Sequence, residues 1–196
     1  MARVRVRPFD ALVVVDMQVD FMPGGALPVP GGDEIVGRIN EYVELFSRAG
    51  ATLVFTRDWH PPNHISFKTR GGPWPPHCVQ GSPGASFHPG LRVPREAIVI
   101  SKATDPDREA YSGFEGTELD TELRKRGIRR VFVCGVATDY CVKATALDGV
   151  RLGYQVFLLA DAVRGVNIPP GSVQKAVDEM LDAGVVIVEI PSILSF

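Results

Sequence analysis

Short apolar runs alternate along the chain with segments whose apolar residues recur every three or four positions. The runs are rich in β-branched residues and end at polar residues or glycine, which is typical of buried strands. The segments between them carry capping residues and closing glycines, which is typical of amphipathic helices. The pattern predicts six strands, over residues 9–15, 52–56, 97–100, 131–134, 155–160 and 185–190, and four helices opening at Asp33, Thr117, Thr138 and Ser172.

This alternation predicts the fold class. Strands that read as unbroken apolar runs are buried on both faces, which indicates an α/β fold with a doubly wound, mostly parallel six-stranded sheet and helices on both faces. A chain of 196 residues suits one core, so residues 1–196 are expected to form a single domain. In the common strand order 3-2-1-4-5-6, the first and fourth strands are neighbours.

Composition argues against several classes of partner. Hydrophobic residues make up 45% of the chain and the formal net charge is −2, so nothing favours nucleic acid or a membrane surface, and no apolar run approaches a membrane span. A small-molecule substrate is expected, and homo-oligomer formation stays open. The three cysteines, Cys78, Cys134 and Cys141, form no C-x-x-C pair and no even framework, which predicts a reducing, cytoplasmic setting.

Chemically useful side chains follow four of the predicted strands. They are Asp16, Asp58, Lys102 and, in the turn after the fourth strand, Cys141. Ligands of open α/β sheets bind outside the carboxyl ends of the strands, so these residues are expected to meet at one edge. A cysteine near a helix start suits attack on an acyl carbon, with Asp16 as general base and Lys102 holding Asp16 ionised and favouring the thiolate. Backbone N–H groups of the turn suit an oxyanion hole.

A long loop rich in proline and glycine follows the second strand and holds all four histidines, His60, His64, His77 and His88. A loop of roughly forty residues inside a compact domain is usually functional. The D-W-H sequence places Asp58 beside His60, and a carboxylate with two or three imidazoles suits Zn²⁺, Mn²⁺ or Fe²⁺ with positions open for water or substrate. Spacing alone equally allows ordinary loop histidines, and His88 has no comparable partner.

Four motifs together carry a resemblance to a known family. They are V-V-V-D-M-Q-V-D-F at 13–21, D-W-H-P-P-N-H-I-S-F at 58–67, G-G-P-W-P-P-H-C-V at 71–79 and G-V-A-T-D-Y-C-V at 135–142. Through them essentially the whole chain resembles the nicotinamidases, including pyrazinamidases, of the isochorismatase-like cysteine hydrolase superfamily. The resemblance implies a Rossmann-like fold and hydrolysis of nicotinamide to nicotinate and ammonia in NAD salvage, with pyrazinamide as a further substrate.

The resemblance also implies roles for individual residues. The catalytic triad of the family falls on Asp16, Lys102 and Cys141. Its metal ligands, most often for zinc, fall on Asp58, His60 and His77, while His64 matches a position that ligates in some members only. A cis peptide is implied between Val136 and Ala137, with the N–H groups of Ala137 and Cys141 as the oxyanion hole. Aromatic positions around the pyridine ring match Phe21, Trp74 and Tyr140.

These expectations predict a covalent mechanism. The metal binds the ring nitrogen of nicotinamide, the Cys141 thiolate attacks the carboxamide carbon, and Asp16 passes the proton to departing ammonia. Water activated by Asp16 then hydrolyses the thioester.

Four alternatives stay open at this point. Another cysteine amidase, such as an N-carbamoyl or ureido amidohydrolase, would share the triad but generally lack the metal. A dinucleotide-binding module would need G-x-G-x-x-G after the first strand, where this chain has D-M-Q-V-D-F. In a metal hydrolase with water as nucleophile, Cys141 would be structural. Fold alone also allows a non-catalytic interaction protein.

Overall fold

The structure is a computed structural model that describes residues 4–189 and 193–194. Its main strands are β2 (Asp10–Val15), β3 (Thr52–Asp58), β4 (Ile98–Lys102), β5 (Arg130–Val136), β6 (Gln155–Arg164) and β7 (Val186–Val188). They form one parallel sheet in the order β4-β3-β2-β5-β6-β7. This order is the predicted 3-2-1-4-5-6, and the fold class is confirmed. A separate parallel pair joins β1 (Val4–Arg5) to β8 (Ile193–Leu194).

Helices cover both faces of the sheet, because the central strands are apolar on both sides. The helices are α1 (Val36–Arg48), α2 (Leu119–Lys125), α3 (Lys143–Arg151) and α4 (Ser172–Asp182). Ile39, Tyr42 and Phe46 of α1 belong to the core on one face, together with Leu12 and Val14 of β2. The opposite core takes the alternate β2 residues and side chains of the other three helices, including Leu119, Leu123, Ala146 and Met180. None of the helices in the described residues combines the length and apolar composition needed to cross a membrane.

Several element boundaries differ from the sequence pattern, since α2 begins at Leu119 rather than Thr117 and β6 extends beyond residue 160 to Arg164. The first helix begins at Val36 rather than Asp33, because a turn comes first, in which the Val36 N–H donates to the Asp33 carbonyl (3.2 Å). Ser172 is the first residue of α4, but its hydroxyl donates to Asp139 instead of capping the helix. The last strand ends at Val188, and residue 190 of the predicted strand lies outside the described residues.

Candidate active site

Four adjacent strands deliver the predicted site residues to one edge of the sheet. Asp58 and Lys102 are the last residues of β3 and β4 and are partners across that parallel ladder. Asp16 follows β2 in the left-handed region (φ 50°), and its N–H donates to the Thr56 carbonyl (3.1 Å). Cys141 follows β5, which lies beside β2. The structure therefore brings Asp16, Lys102 and Cys141 together, as the strand order predicts.

The chain leaves β5 through a position that only glycine can occupy. Gly135 has a φ of +110°, and a Cβ on it would lie 2.1 Å from the Val15 carbonyl oxygen. One residue further along, the peptide between Val136 and Ala137 is cis, as the family resemblance implies. Close packing of Gly135 on β2 thus sets where the turn that carries Cys141 begins.

The turn itself is wider than an α-helical turn. Residues Thr138–Val142 form one π-helical turn, and α3 follows from Lys143. The Ala137 carbonyl accepts hydrogen bonds from the N–H groups of Tyr140 (3.0 Å) and Val142 (3.1 Å). The predicted cap at Thr138 is wrong, since no side chain caps this turn. The turn places Cys141 ahead of the regular helix, with its side chain 6% exposed.

Lys102 is the centre of the charged group. Its fully buried ammonium lies 2.8 Å from Asp16 Oδ2, contacts Asp58 Oδ1 and lies 3.4 Å from Cys141 Sγ. The other Asp16 oxygen accepts a hydrogen bond from Thr56 Oγ1 (2.7 Å). Ligand-type atoms of Asp16, Asp58 and Cys141 also fall within 4.8 Å of one another, but the ammonium already supplies the cation among them.

Burial dominates the proton equilibria of this group. It raises the pKa of the Cys141 thiol well above its ordinary value, and nearby Lys102 only partly opposes this. Burial also raises the pKa of the Asp16 carboxyl, again against Lys102. For Lys102 burial acts the other way, but Asp16 and Asp58 outweigh it and raise the pKa of the ammonium. Lys102 thus favours the Cys141 thiolate, as expected from the sequence, while burial favours the protonated thiol, so a base beside the thiol assists its reaction.

A second group lies next to the first and shares Asp58. Asp58, His60 and His77 are all buried, and each offers a ligand atom within 4.8 Å of the others. Asp58 Oδ2 lies 3.9 Å from His77 Nε2. One carboxylate with two imidazoles is a common donor set for a divalent cation such as zinc.

Hydrogen bonds orient both imidazoles for metal binding. The Nδ1 atom of His60 lies 2.9 Å from the His77 carbonyl oxygen, and the Nδ1 atom of His77 lies 2.8 Å from the Pro75 carbonyl oxygen. Since carbonyls only accept, each Nδ1 carries the proton and each Nε2 keeps its lone pair. Burial, with His77 nearby, lowers the pKa of His60 to about 3, so its ring is neutral at neutral pH. The donor set fits a metal ion.

His64 lies beside this group but both of its ring nitrogens already have partners. Its Nε2 lies 2.9 Å from the Arg108 carbonyl oxygen, and its Nδ1 lies 2.7 Å from Ser66 Oγ. Its ring centroid is 4.4 Å from that of His60. His64 packs against the His60 ring, and His60, His64 and Glu109 also offer ligand atoms within 4.8 Å of one another, so the role of His64 as a further ligand stays a prediction. His88 lies elsewhere, where its Nδ1 accepts the Gly90 N–H (3.0 Å).

Both groups face one cavity with an aromatic wall. Trp74 and Tyr140 meet edge to face with centroids 5.4 Å apart, and Phe21 meets His77 in the same way at 5.6 Å. The cavity also reaches Asp58, His60, His77 and Cys141. The three aromatic residues predicted for the ring pocket therefore line the same cavity as the thiol and the metal-type ligands. Its aromatic lining suits a small flat ring.

Comparison with known proteins agrees with this geometry. Residues 10–192 match the family described as the isochorismatase domain. The chain belongs to the isochorismatase family. It is 41% identical to the nicotinamidase of Escherichia coli (strain K12), over 90% of this chain and 93% of that one. The expected resemblance to nicotinamidases within the family is confirmed.

Two solved structures of the family are close in fold. The pyrazinamidase of Pyrococcus horikoshii in complex with zinc is 58% identical, with a TM-score of 0.90 and coverage of 93% of this chain and 100% of that chain. PnC1 from L. infantum in complex with nicotinate is 42% identical, with a TM-score of 0.92 and coverage of 99% and 100%.

Several cavity residues of this family member were not predicted from the sequence. Among them, Tyr111 accepts the Trp74 indole N–H (3.1 Å), and Glu109 and Val166 also line the cavity. Burial raises the pKa of the Glu109 carboxyl. Glu109 and Tyr111 follow β4 closely, and Val166 follows β6, so the rule that ligands bind beyond strand ends could have drawn attention to them.

Proposed function

We propose that this protein is a nicotinamidase, a metal-dependent cysteine amidohydrolase that converts nicotinamide to nicotinate and ammonia in NAD salvage and also accepts pyrazinamide. One observation carries the proposal. Cys141, with Asp16 and Lys102 against it, and the ligand group of Asp58, His60 and His77 open into the same aromatic-lined cavity. The family membership and the nicotinamidase relatives support this choice of substrate.

In the first half of the reaction, the thiol sulfur bonds to the carboxamide carbon of the substrate. The thiol proton goes to the Asp16 carboxylate, because burial raises the pKa of this carboxyl and makes it a stronger base. Asp16 then gives this proton to the amide nitrogen, and the carbon–nitrogen bond breaks to release ammonia. A thioester on Cys141 remains.

In the second half, water attacks the thioester carbon while Asp16 takes a proton from it. The carbon–sulfur bond breaks, the proton on Asp16 goes to the Cys141 sulfur, and nicotinic acid leaves and gives its carboxyl proton to solvent to become nicotinate. Lys102 compensates the charge of Asp16 throughout, since its ammonium stays between the two buried carboxylates. The N–H groups of Ala137 and Cys141 are proposed to receive the oxyanion, because they belong to the turn that carries the nucleophile.

We propose that Asp58, His60 and His77 hold zinc. When bound, the ion supplies an electron-pair acceptor for the ring nitrogen of the substrate. Phe21, Trp74 and Tyr140 pack around the pyridine ring and keep water away from it. His64 orients His60 in this arrangement. We also propose that the protein is cytoplasmic. Its three cysteines are buried and free of disulfide bonds, which suits a reducing compartment.

The test is ammonia release from nicotinamide by the wild type, by Cys141→Ala and by Cys134→Ala, with metal content measured in all three. Cys134 is a buried core cysteine, so its variant controls for loss of a packed thiol. Turnover is expected in the wild type and in Cys134→Ala only, with metal retained throughout. Turnover by Cys141→Ala would exclude the thioester route. A folded, metal-loaded wild type without turnover would exclude nicotinamide, and carbamoyl and ureido compounds would be tested next.

A further inference from the structure

Asp139, in the turn that carries the nucleophile, has a buried carboxylate that the proposed chemistry does not use. Its Oδ1 accepts the Val166 N–H (2.9 Å). Its Oδ2 accepts the Asn167 N–H (2.9 Å) and the Ser172 hydroxyl (2.7 Å). The residue is 8% exposed. Three hydrogen bonds to one carboxylate join the nucleophile turn to the chain between β6 and α4.

The segment that Asp139 holds, residues 165–172, forms part of the substrate cavity. Val166 lines the cavity together with Tyr140 and Cys141. Gly165 packs tightly against Asp139, since a Cβ on Gly165 would lie 2.9 Å from Asp139 Oδ1. Within the segment, the Asn167 side-chain oxygen accepts the Gly171 N–H (2.9 Å). The segment is therefore closed on itself and fixed to the turn through Asp139.

We propose that Asp139 is a positioning residue that sets the distance between the Val166 wall and the Cys141 sulfur, and so determines how tightly the ring of the amide is held. This inference rests on the proposed function, because the ring to be held is that of the proposed substrate. Tyr140 and Cys141 follow Asp139 directly in the chain. Because the Asp139 carboxylate is hydrogen-bonded to the segment that carries Val166, the Val166 wall and Cys141 move as one unit.

Only a carboxylate satisfies all three donors. A carboxylate offers acceptor sites on both oxygens, whereas an amide replaces one oxygen with a donor. In Asp139→Asn the amide NH₂ faces either the Val166 N–H or the Asn167 N–H, and at least one of these groups loses its partner. A buried unpaired N–H is unfavourable, so the segment is expected to move away from the turn.

The kinetic test compares the wild type with Asp139→Asn, Val166→Ala, the double variant and the control Asp178→Asn. Asp178 lies on α4 and is exposed, and among the described residues it accepts a local hydrogen bond from Gln174. In Asp139→Asn the KM for nicotinamide is expected to rise about tenfold, equivalent to ~1.4 kcal/mol, with kcat changing far less. Because Asp139 acts through Val166, its substitution is expected to add little to KM in the Val166→Ala background. Asp178→Asn should match the wild type.

A second readout is independent of turnover. Hydrogen exchange of the Val166 and Asn167 amides should be slow in the wild type and in Asp178→Asn, and fast in Asp139→Asn. The inference is overturned if Asp139→Asn loses only thermal stability or kcat with KM unchanged, if the two substitutions act additively on KM, or if these amides stay protected. A wild type without nicotinamide turnover would contradict the proposed function instead, and the exchange measurement would still decide whether Asp139 holds the segment.

Discussion

Lys102 is the residue on which the charge balance of the site depends. Its side chain is wholly buried and is paired with Asp16 and Asp58, which are also buried. A buried charge pair adds little net stability compared with apolar residues, but removing one partner leaves an uncompensated charge out of water. The Lys102 ammonium compensates the charge of two buried carboxylates, so its removal is expected to destabilise the fold.

The first prediction concerns Lys102→Met. We expect it to lower the free energy of unfolding by about 3–5 kcal/mol and to reduce turnover strongly, because Asp16 and Asp58 then repel each other without a cation between them. The control is Lys143→Met, which breaks a partly exposed pair with Glu179 (2.9 Å) and should cost less than about 1 kcal/mol. Urea unfolding of both variants measures the difference. Equal losses would show that Lys102 does not carry this charge balance.

At the scale of elements, the end of β5 decides where the nucleophile lies. Gly135 contacts β2 so closely that a side chain has no room, and its φ of +110° is one that other residues rarely adopt. Gly37 of α1 is a contrast, since a Cβ there would meet nothing within 4 Å and the residue is exposed. The two glycines therefore predict opposite effects of the same substitution.

We expect Gly135→Ala to destabilise the protein by more than about 3 kcal/mol, since backbone strain adds to a clash with the Val15 carbonyl. Gly37→Ala should instead raise the free energy of unfolding by about 0.5–1 kcal/mol, because alanine is the better helix former. Thermal and urea unfolding measure both effects. A stable, active Gly135→Ala would contradict the close packing of β5 on β2 at this point.

The sequence pattern predicts the elements that pack on each other and fails where one side chain redirects the backbone. Apolar runs identify all six strands of the main sheet, and the strand-end rule places Asp16 and Lys102 beside the turn of Cys141. The form of that turn is not predicted, because Thr138 is a good cap by residue type while the close contact of Gly135 with β2 is a tertiary feature. Ser172 likewise does not cap α4, because its hydroxyl donates to Asp139.

The residues that line the cavity are also only partly predictable from the sequence. Phe21, Trp74 and Tyr140 belong to motifs and are recognised by resemblance. Glu109 and Val166 lie in loops whose backbone course depends on contacts between residues distant in sequence. An example is the pair of hydrogen bonds from the Val166 and Asn167 N–H groups to Asp139. Periodicity carries no information about such paths, since they contain neither a helical nor a strand repeat.

For the whole molecule, Asp58 couples the ion-pair group to the metal-type ligands. One carboxylate oxygen contacts Lys102, and the other faces His77. A cation that binds the folded protein and not the unfolded chain stabilises the fold by about 2.7 kcal/mol at one hundred times its dissociation constant. Metal binding is therefore expected to support both the fold and the reaction.

We expect chelation to abolish turnover and lower the melting temperature, and added Zn²⁺ to restore both. In His60→Ala the melting temperature should no longer respond to zinc, because a ligand is missing. His88→Ala should respond like the wild type, since that histidine lies outside the ligand group. Scanning calorimetry with and without zinc provides the measurement. An unchanged zinc response in His60→Ala would remove His60 from the proposed ligand set.

In the proposed reaction, the fold presents one cysteine, Cys141, to an amide carbon. Mass spectrometry of enzyme quenched in acid during turnover of nicotinamide tests this most directly. We expect a nicotinoyl group on the peptide that contains Cys141, and on no peptide that contains Cys78 or Cys134. Rapid turnover by the wild type with no acyl group on Cys141 at any quench time would contradict the thioester route.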